Sequence, residues 1–232
     1  MFINLFIIIK YMNKNVSIVK TQINETHEMF ISKIPHYISI NKHVLIYKNV
    51  LSDVLMKECI FLANTCIQND FYNTTNALYW SKNIVGESNI IKIVFLNEKL
   101  KQRICYELSN KYNFITDNLK INIHIMQEGC YVNEHTDNHV KYAFTIYLNE
   151  HWEESYGGIF QFDIENHIYN VIPSCNTMVL LKNNLHRVTK ISSKLKRISL
   201  QGFYADPSLF YKTSPIDQLL YSKNENNVGV YF

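Results

Sequence analysis

The feature that most constrains this chain is a change of hydrophobic period near residue 119. Upstream, Leu55, Cys59, Leu62, Ala63 and Cys66 recur at helical spacing over 54–67, as do Leu100, Ile104 and Leu108 over 97–112. Downstream, Ile121, Ile123 and Ile125 alternate with Asn122, His124 and Met126. Such alternation puts every second side chain on one face of a strand. Further β-prone segments follow at 142–148, 158–162, 167–171, 177–181 and 197–204, separated by turn signals. Helices first, then a run of short strands, predict an α+β chain with an antiparallel sandwich or barrel and helical support. A strand from His43 leads to the first helix, where Ser52 or Asp53 is placed to cap it. Residues 70–90, rich in Asn, Tyr and Ser, read as an irregular region with Trp80 buried in it.

Composition removes several classes. Apolar residues make up 47% of the 232, enough for a sizeable core, so a disordered chain is excluded. Six glycines and four prolines are too few for a collagen-like or linker-rich chain. Lys and Arg number 23 against 20 Asp and Glu, and they are scattered apart from Lys190, Lys194, Lys196 and Arg197. Nucleic acid is therefore not expected as an obligate partner. The five cysteines, Cys59, Cys66, Cys105, Cys130 and Cys175, are odd in number and contain no C-x-x-C pair. That argues against a disulfide framework or structural zinc and fits reduced thiols in a cytoplasmic protein. The apolar run Phe2–Ile9 is too short to span a bilayer, so no membrane span is expected, and Met1 or Met12 could serve as the start. Residues 1–40 read as an N-terminal extension and lead-in, 41–210 as one domain with its core at 119–206, and 211–232 as a tail.

Three separated residues carry chemistry. His135 and Asp137 form a His-x-Asp unit that, on a strand, would point both side chains to one side. Alone this is weak, since a capping Asp in a surface loop looks the same. His186, in Asn-Leu-His-Arg-Val, supplies a second imidazole. Two histidines and one carboxylate on one face leave open coordination positions, the arrangement suited to a ferrous ion that must also bind a chelating co-substrate and dioxygen. Arg197 opens a strand, Arg-Ile-Ser-Leu-Gln-Gly-Phe-Tyr, and a guanidinium pointing inward there needs an anion. A dicarboxylate would supply one, held bidentately by the guanidinium fork.

From about 121 to 206 these pieces resemble, in order, the catalytic core of the iron(II)/2-oxoglutarate-dependent dioxygenase superfamily, in its prolyl-hydroxylase-type branch. The resemblance runs through Gly129 to Asp137, Phe144 to Trp152, Gly157-Gly158-Ile-Phe160, Val171-Ile-Pro173, His186-Arg187-Val188 and Arg197 to Phe203. It implies a double-stranded β-helix, or jelly roll, behind N-terminal supporting helices. It also implies His135, Asp137 and His186 as metal ligands for Fe(II). Arg197, with Tyr147 and Ser199, would bind 2-oxoglutarate; Tyr131, Asn133 and His139 would stand near the substrate or behind the metal site. Ascorbate is an expected reductant. Where many relatives carry a tyrosine upstream of the first ligand this chain has Met126, with Gln127 beside it as a substitute polar contact. The implied reaction is hydroxylation of an unactivated C–H bond, with dioxygen consumed and succinate and carbon dioxide released. A peptidyl (prolyl) residue is the expected substrate. A free amino acid or small metabolite, or an inactive metal-retaining jelly-roll module, are the alternatives. Nucleobase demethylation is disfavoured, because relatives that perform it carry a second arginine where Phe203 stands. The other histidines, His27, His36, His43, His124, His151 and His167, read as surface or satisfied structural residues.

Overall fold

The structure is a computed structural model and describes residues 18–23, 26–31, 37–40, 43–70, 73–74, 91–112, 119–137 and 140–204. The segment Phe2–Ile9, both candidate start methionines, Trp80, His139 and the 211–232 tail lie outside the described residues. In chain order the elements are β1 (Ile18–Ile23), β2 (Thr26–Ile31), β3 (Tyr37–Ser39), β4 (Val44–Lys48), α1 (Asp53–Gln68), β5 (Asn73–Thr74), β6 (Lys92–Phe95) and α2 (Glu98–Tyr112). There follow β7 (Leu119–Met126), β8 (Val132–His135), β9 (Tyr142–Tyr147), β10 (Phe160–Ile164), β11 (His167–Val171), β12 (Thr177–Leu181), β13 (His186–Val188) and β14 (Arg197–Tyr204).

Strands β3-β4-β12-β9-β14-β7-β6-β5 form an eight-stranded sheet, and β1-β2-β11-β10-β13-β8 a six-stranded one. All pairings are antiparallel except β2 with β11. Two facing, mainly antiparallel sheets with a pair of helices behind the larger one are the helix-supported sandwich expected from the pattern and the jelly roll implied by the resemblance.

Strand alternation divides the apolar residues between two cores. Ile121, Ile123 and Ile125 of β7, with Ile198 and Leu200 of β14, face the helices. There they meet Leu55, Cys59 and Ala63 of α1 and Leu100, Ile104 and Leu108 of α2. Met126, Tyr147, Val179 and Leu181 point the other way, against Phe160, Phe162, Val171 and Val188 of the smaller sheet. Each fully buried aliphatic side chain contributes about 1.5–3 kcal/mol, so both layers are strongly held in register. The polar residues of the same inward rows, including Arg197 and Ser199, are thereby forced into the interior between the sheets.

The two helices begin differently. Asn97 accepts the Leu100 backbone N–H on its Oδ1 at 2.8 Å, an ordinary N-cap for α2. Ser52 sits at the N-cap position of α1 but makes no capping bond from its side chain. Its backbone N–H and its hydroxyl instead donate to the two oxygens of Glu107 on α2, at 2.7 and 2.9 Å. A loop at Asn176, with φ +54°, pins the same corner. Its side chain accepts from Leu51 N and donates to Leu51 O. No disulfide joins the five cysteines, and burial pushes the Cys59 thiol up to about 12. Among the described residues no helix is long and apolar enough to cross a membrane.

Candidate metal centre and anion seat

The two imidazoles meet across the smaller sheet. His135 ends β8 and His186 begins β13, and the register pairs them directly, with ring centroids 4.2 Å apart. In each ring Nδ1 is bonded to the carbonyl two residues earlier, Asn133 O and Asn184 O, both at 2.8 Å. A carbonyl only accepts, so Nδ1 carries the proton and Nε2 is left with its lone pair. Both Nε2 atoms face Asp137, at 3.7 Å from Oδ1 for His135 and 3.6 Å from Oδ2 for His186. The three ligand atoms lie within 4.8 Å of one another. Asp137 is not on the strand with His135, as the i, i+2 reading supposed. It lies just past the strand end, where the backbone is free to turn its carboxylate between the two rings.

His186 is buried, and desolvation holds its pKa below the ordinary imidazole value, with Asp137 opposing and His135 reinforcing. The Phe160 ring stacks on it, centroids 5.4 Å apart. Two neutral imidazoles and one carboxylate, oriented by backbone carbonyls and walled by an aromatic ring, suit a divalent first-row metal with positions to spare.

Arg197 is fully buried. Its Nε donates to Gly158 O at 2.9 Å, its Nη1 lies 3.8 Å from Met126 Sδ, and its Cζ sits 5.1 Å from the Tyr147 ring centroid. Its Nη2 and the Tyr147 hydroxyl are both buried without a hydrogen-bond partner. Burial lowers the Arg197 pKa, with Tyr147 opposing, and pushes the Tyr147 phenol up to about 12, so the phenol stays a donor. A buried cation side by side with a buried hydroxyl is an arrangement able to take an anion. One open pocket joins the two features, lined by His135, Asp137, His186, Phe160, Arg197 and Gln201 among others.

The remaining expected positions divide. Tyr147 and Ser199 sit beside Arg197 but do not line this pocket; Ser199 is buried and accepts a long 3.4 Å bond from Gln201 Nε2. Tyr131 and Asn133 are half-buried and outside the lining, Asn133 serving through its carbonyl. Gln127 is exposed in a turn, so it does not replace the missing tyrosine; Met126 points inward instead. Arg197 does not belong to the basic surface group with Lys190, Lys194 and Lys196. Gln201 and Thr145, which do line the pocket, went unnoticed, although Gln201 shares the inward row of Arg197 and Ser199.

His124 falls on the structural side of the surface-or-structural expectation. It is 3% exposed and lies beside Ser199 in the interior. Burial, and then the nearby Arg197 charge, lower its pKa to about 3. The native chain then binds fewer protons here than the unfolded chain as pH falls from about 6.5 towards 3. The stability His124 contributes is whole above that window and is lost on descending through it. Melting temperatures measured across it should fall for the wild type and fall less for His124→Met. Parallel acid limbs would refute this.

The family model described as the 2OG-Fe(II) oxygenase superfamily matches residues 121–205. No curated protein matches the sequence. Among solved structures, a prolyl-4-hydroxylase from Pseudomonas putida is 14% identical, with a TM-score of 0.54 over 70% of this chain and 92% of its own. A prolyl hydroxylase from Trichoplax adhaerens, in complex with a hypoxia inducible factor oxygen degradation domain peptide fragment, is 17% identical, with a TM-score of 0.59 over 74% and 87%. The non-heme alpha ketoglutarate dependent epimerase SnoN from nogalamycin biosynthesis is 11% identical, with a TM-score of 0.50 over 71% and 78%. At these identities the neighbours speak for the fold alone. Residues 121–205 of this chain are similar to the 2OG-Fe(II) oxygenase superfamily, and the jelly roll that carries them is the fold of the two prolyl hydroxylases.

Proposed function

We propose that this chain is a 2-oxoglutarate-dependent hydroxylase acting on a peptidyl residue, prolyl by preference. In this reading His135, Asp137 and His186 hold Fe(II), and Arg197 seats the distal carboxylate of the co-substrate. The observation that carries it is one pocket with three metal-ligand side chains and a fully buried arginine on its walls. Iron with 2-oxoglutarate would supply the oxidising chemistry, releasing succinate and carbon dioxide. The chain's own residues do the rest. The Asn133 and Asn184 carbonyls fix the imidazole tautomers, so both Nε2 atoms stay available without a proton having to leave. Asp137 supplies the negative charge. Arg197 Nη2 would donate to the carboxylate from the pocket wall, with the Tyr147 hydroxyl beside it as a second donor, and Phe160 would exclude water from one side of His186. The peptide class is supported by the fold shared with a prolyl hydroxylase that binds a peptide fragment.

Substrate class is tested by adding peptides and free amino acids separately to the Fe(II) protein with 2-oxoglutarate. Substrate-stimulated succinate and a product heavier by one oxygen are followed. Turnover confined to free amino acids would overturn the peptide reading. Arg197→Leu should raise the 2-oxoglutarate concentration needed for turnover at least about a hundredfold, the loss of a buried charge-assisted pair. An unchanged requirement would remove Arg197 from the seat.

A further inference from the structure

We infer that Asn149 and Gly158 are positioning residues that pre-aim Arg197 at the distal carboxylate of the co-substrate, a role that rests on the dioxygenase reading above. β9 ends at Tyr147, so the regular ladder beside the start of β14 runs out where Arg197 needs to be held. The Asn149 side chain takes over. Its Nδ2 donates to Lys196 O and its Oδ1 accepts from Ile198 N, both at 2.7 Å, bracketing Arg197 on either side along the backbone.

Gly158 holds the other end. Its carbonyl accepts from Arg197 Nε, and its φ of +64° is a conformation that favours glycine. A Cβ there would lie 3.0 Å from Arg197 Cδ, 3.1 Å from Ile191 Cγ1 and 3.3 Å from Trp152 Cζ2. The stem of the arginine therefore lies directly against a residue without a side chain. Trp152 Nε1 donates to Gly157 O at 2.8 Å and pins the same turn. With its backbone bracketed, Nε taken and Nη1 against Met126, the guanidinium is left presenting Nη2. A group fixed before its ligand arrives loses little freedom on binding, so these contacts should show as affinity for a carboxylate they never touch.

The experiment is an anaerobic titration of the Fe(II) protein with 2-oxoglutarate and, separately, with pyruvate, a 2-oxo acid lacking the distal carboxylate. The charge-transfer absorption of the chelated acid is followed, and iron affinity is measured independently. Gly158→Ala and Asn149→Ala should weaken 2-oxoglutarate about tenfold or more and leave pyruvate and iron binding unchanged. Gly129→Ala is the control for strain alone: its φ is +87°, and a Cβ there meets nothing within 4 Å. It should bind 2-oxoglutarate like the wild type. If Gly158→Ala does not fold, Asn149→Ala decides. Equal weakening of both acids, or none, overturns the inference while leaving the dioxygenase reading intact. A wild type that gives absorption with neither acid takes down both.

Discussion

Asp137→Ala is expected to bind Fe(II) at least about a hundredfold more weakly than the wild type and to release no succinate, while keeping its fold. Altering a group that merely orients a metal ligand already costs about 10–100-fold in affinity, and Asp137 is the only anion of the proposed set. Without it two neutral imidazoles remain, and nothing balances a divalent charge in a half-enclosed pocket. The fold should survive because Asp137 lies past the end of β8 and outside both apolar cores. Metal titration beside circular dichroism separates the two effects. Wild-type iron affinity in a folded Asp137→Ala protein would move the metal site elsewhere.

Gly202→Ala should produce a large loss of stability from a small change. Gly202 on β14 faces Phe144 on β9, and a Cβ on it would stand 2.2 Å from Phe144 Cζ. That overlap is with a ring 1% exposed in the core beneath the helices, where nothing can step aside. Overpacking of this kind costs about 1–3 kcal/mol or more. For a chain of this size that corresponds to a fall in Tm of about 2–12 °C. Phe144→Leu on the same chain makes room, so the double variant should lose less than the two single losses added together. Strict additivity would mean that the clash relaxes elsewhere.

How far these sites were legible depends on which physical signal marks them. β-prone residues between turn signals placed β11, β12 and β14 at their observed bounds; β12 is buried on both faces and so reads as a short continuous apolar run rather than an alternation. It failed for β8 and β13, four and three residues long, where no alternation can accumulate; yet these short strands carry His135 and His186. The ligands were found by residue type and order instead. His124, Thr145 and Gln201 were missed for another reason. Polar residues on an inward row look identical in sequence to polar residues facing water until one knows that the row carrying Arg197 points between the sheets. Asn149 stands in the Phe144–Trp152 stretch with no signal of its own; its clasp on residues 196 and 198 joins segments far apart in the chain.

The start of α1 depends on a carboxylate that belongs to α2. During synthesis the segment that becomes the first helix leaves the ribosome well ahead of Glu107, and a lone helix of 16 residues is marginal in water. Its leading turn must therefore wait, unfinished, for a later part of the chain. That bond ties the entry of α1 to α2, and until α2 is made Leu55, Cys59 and Ala63 lack part of the face they pack against.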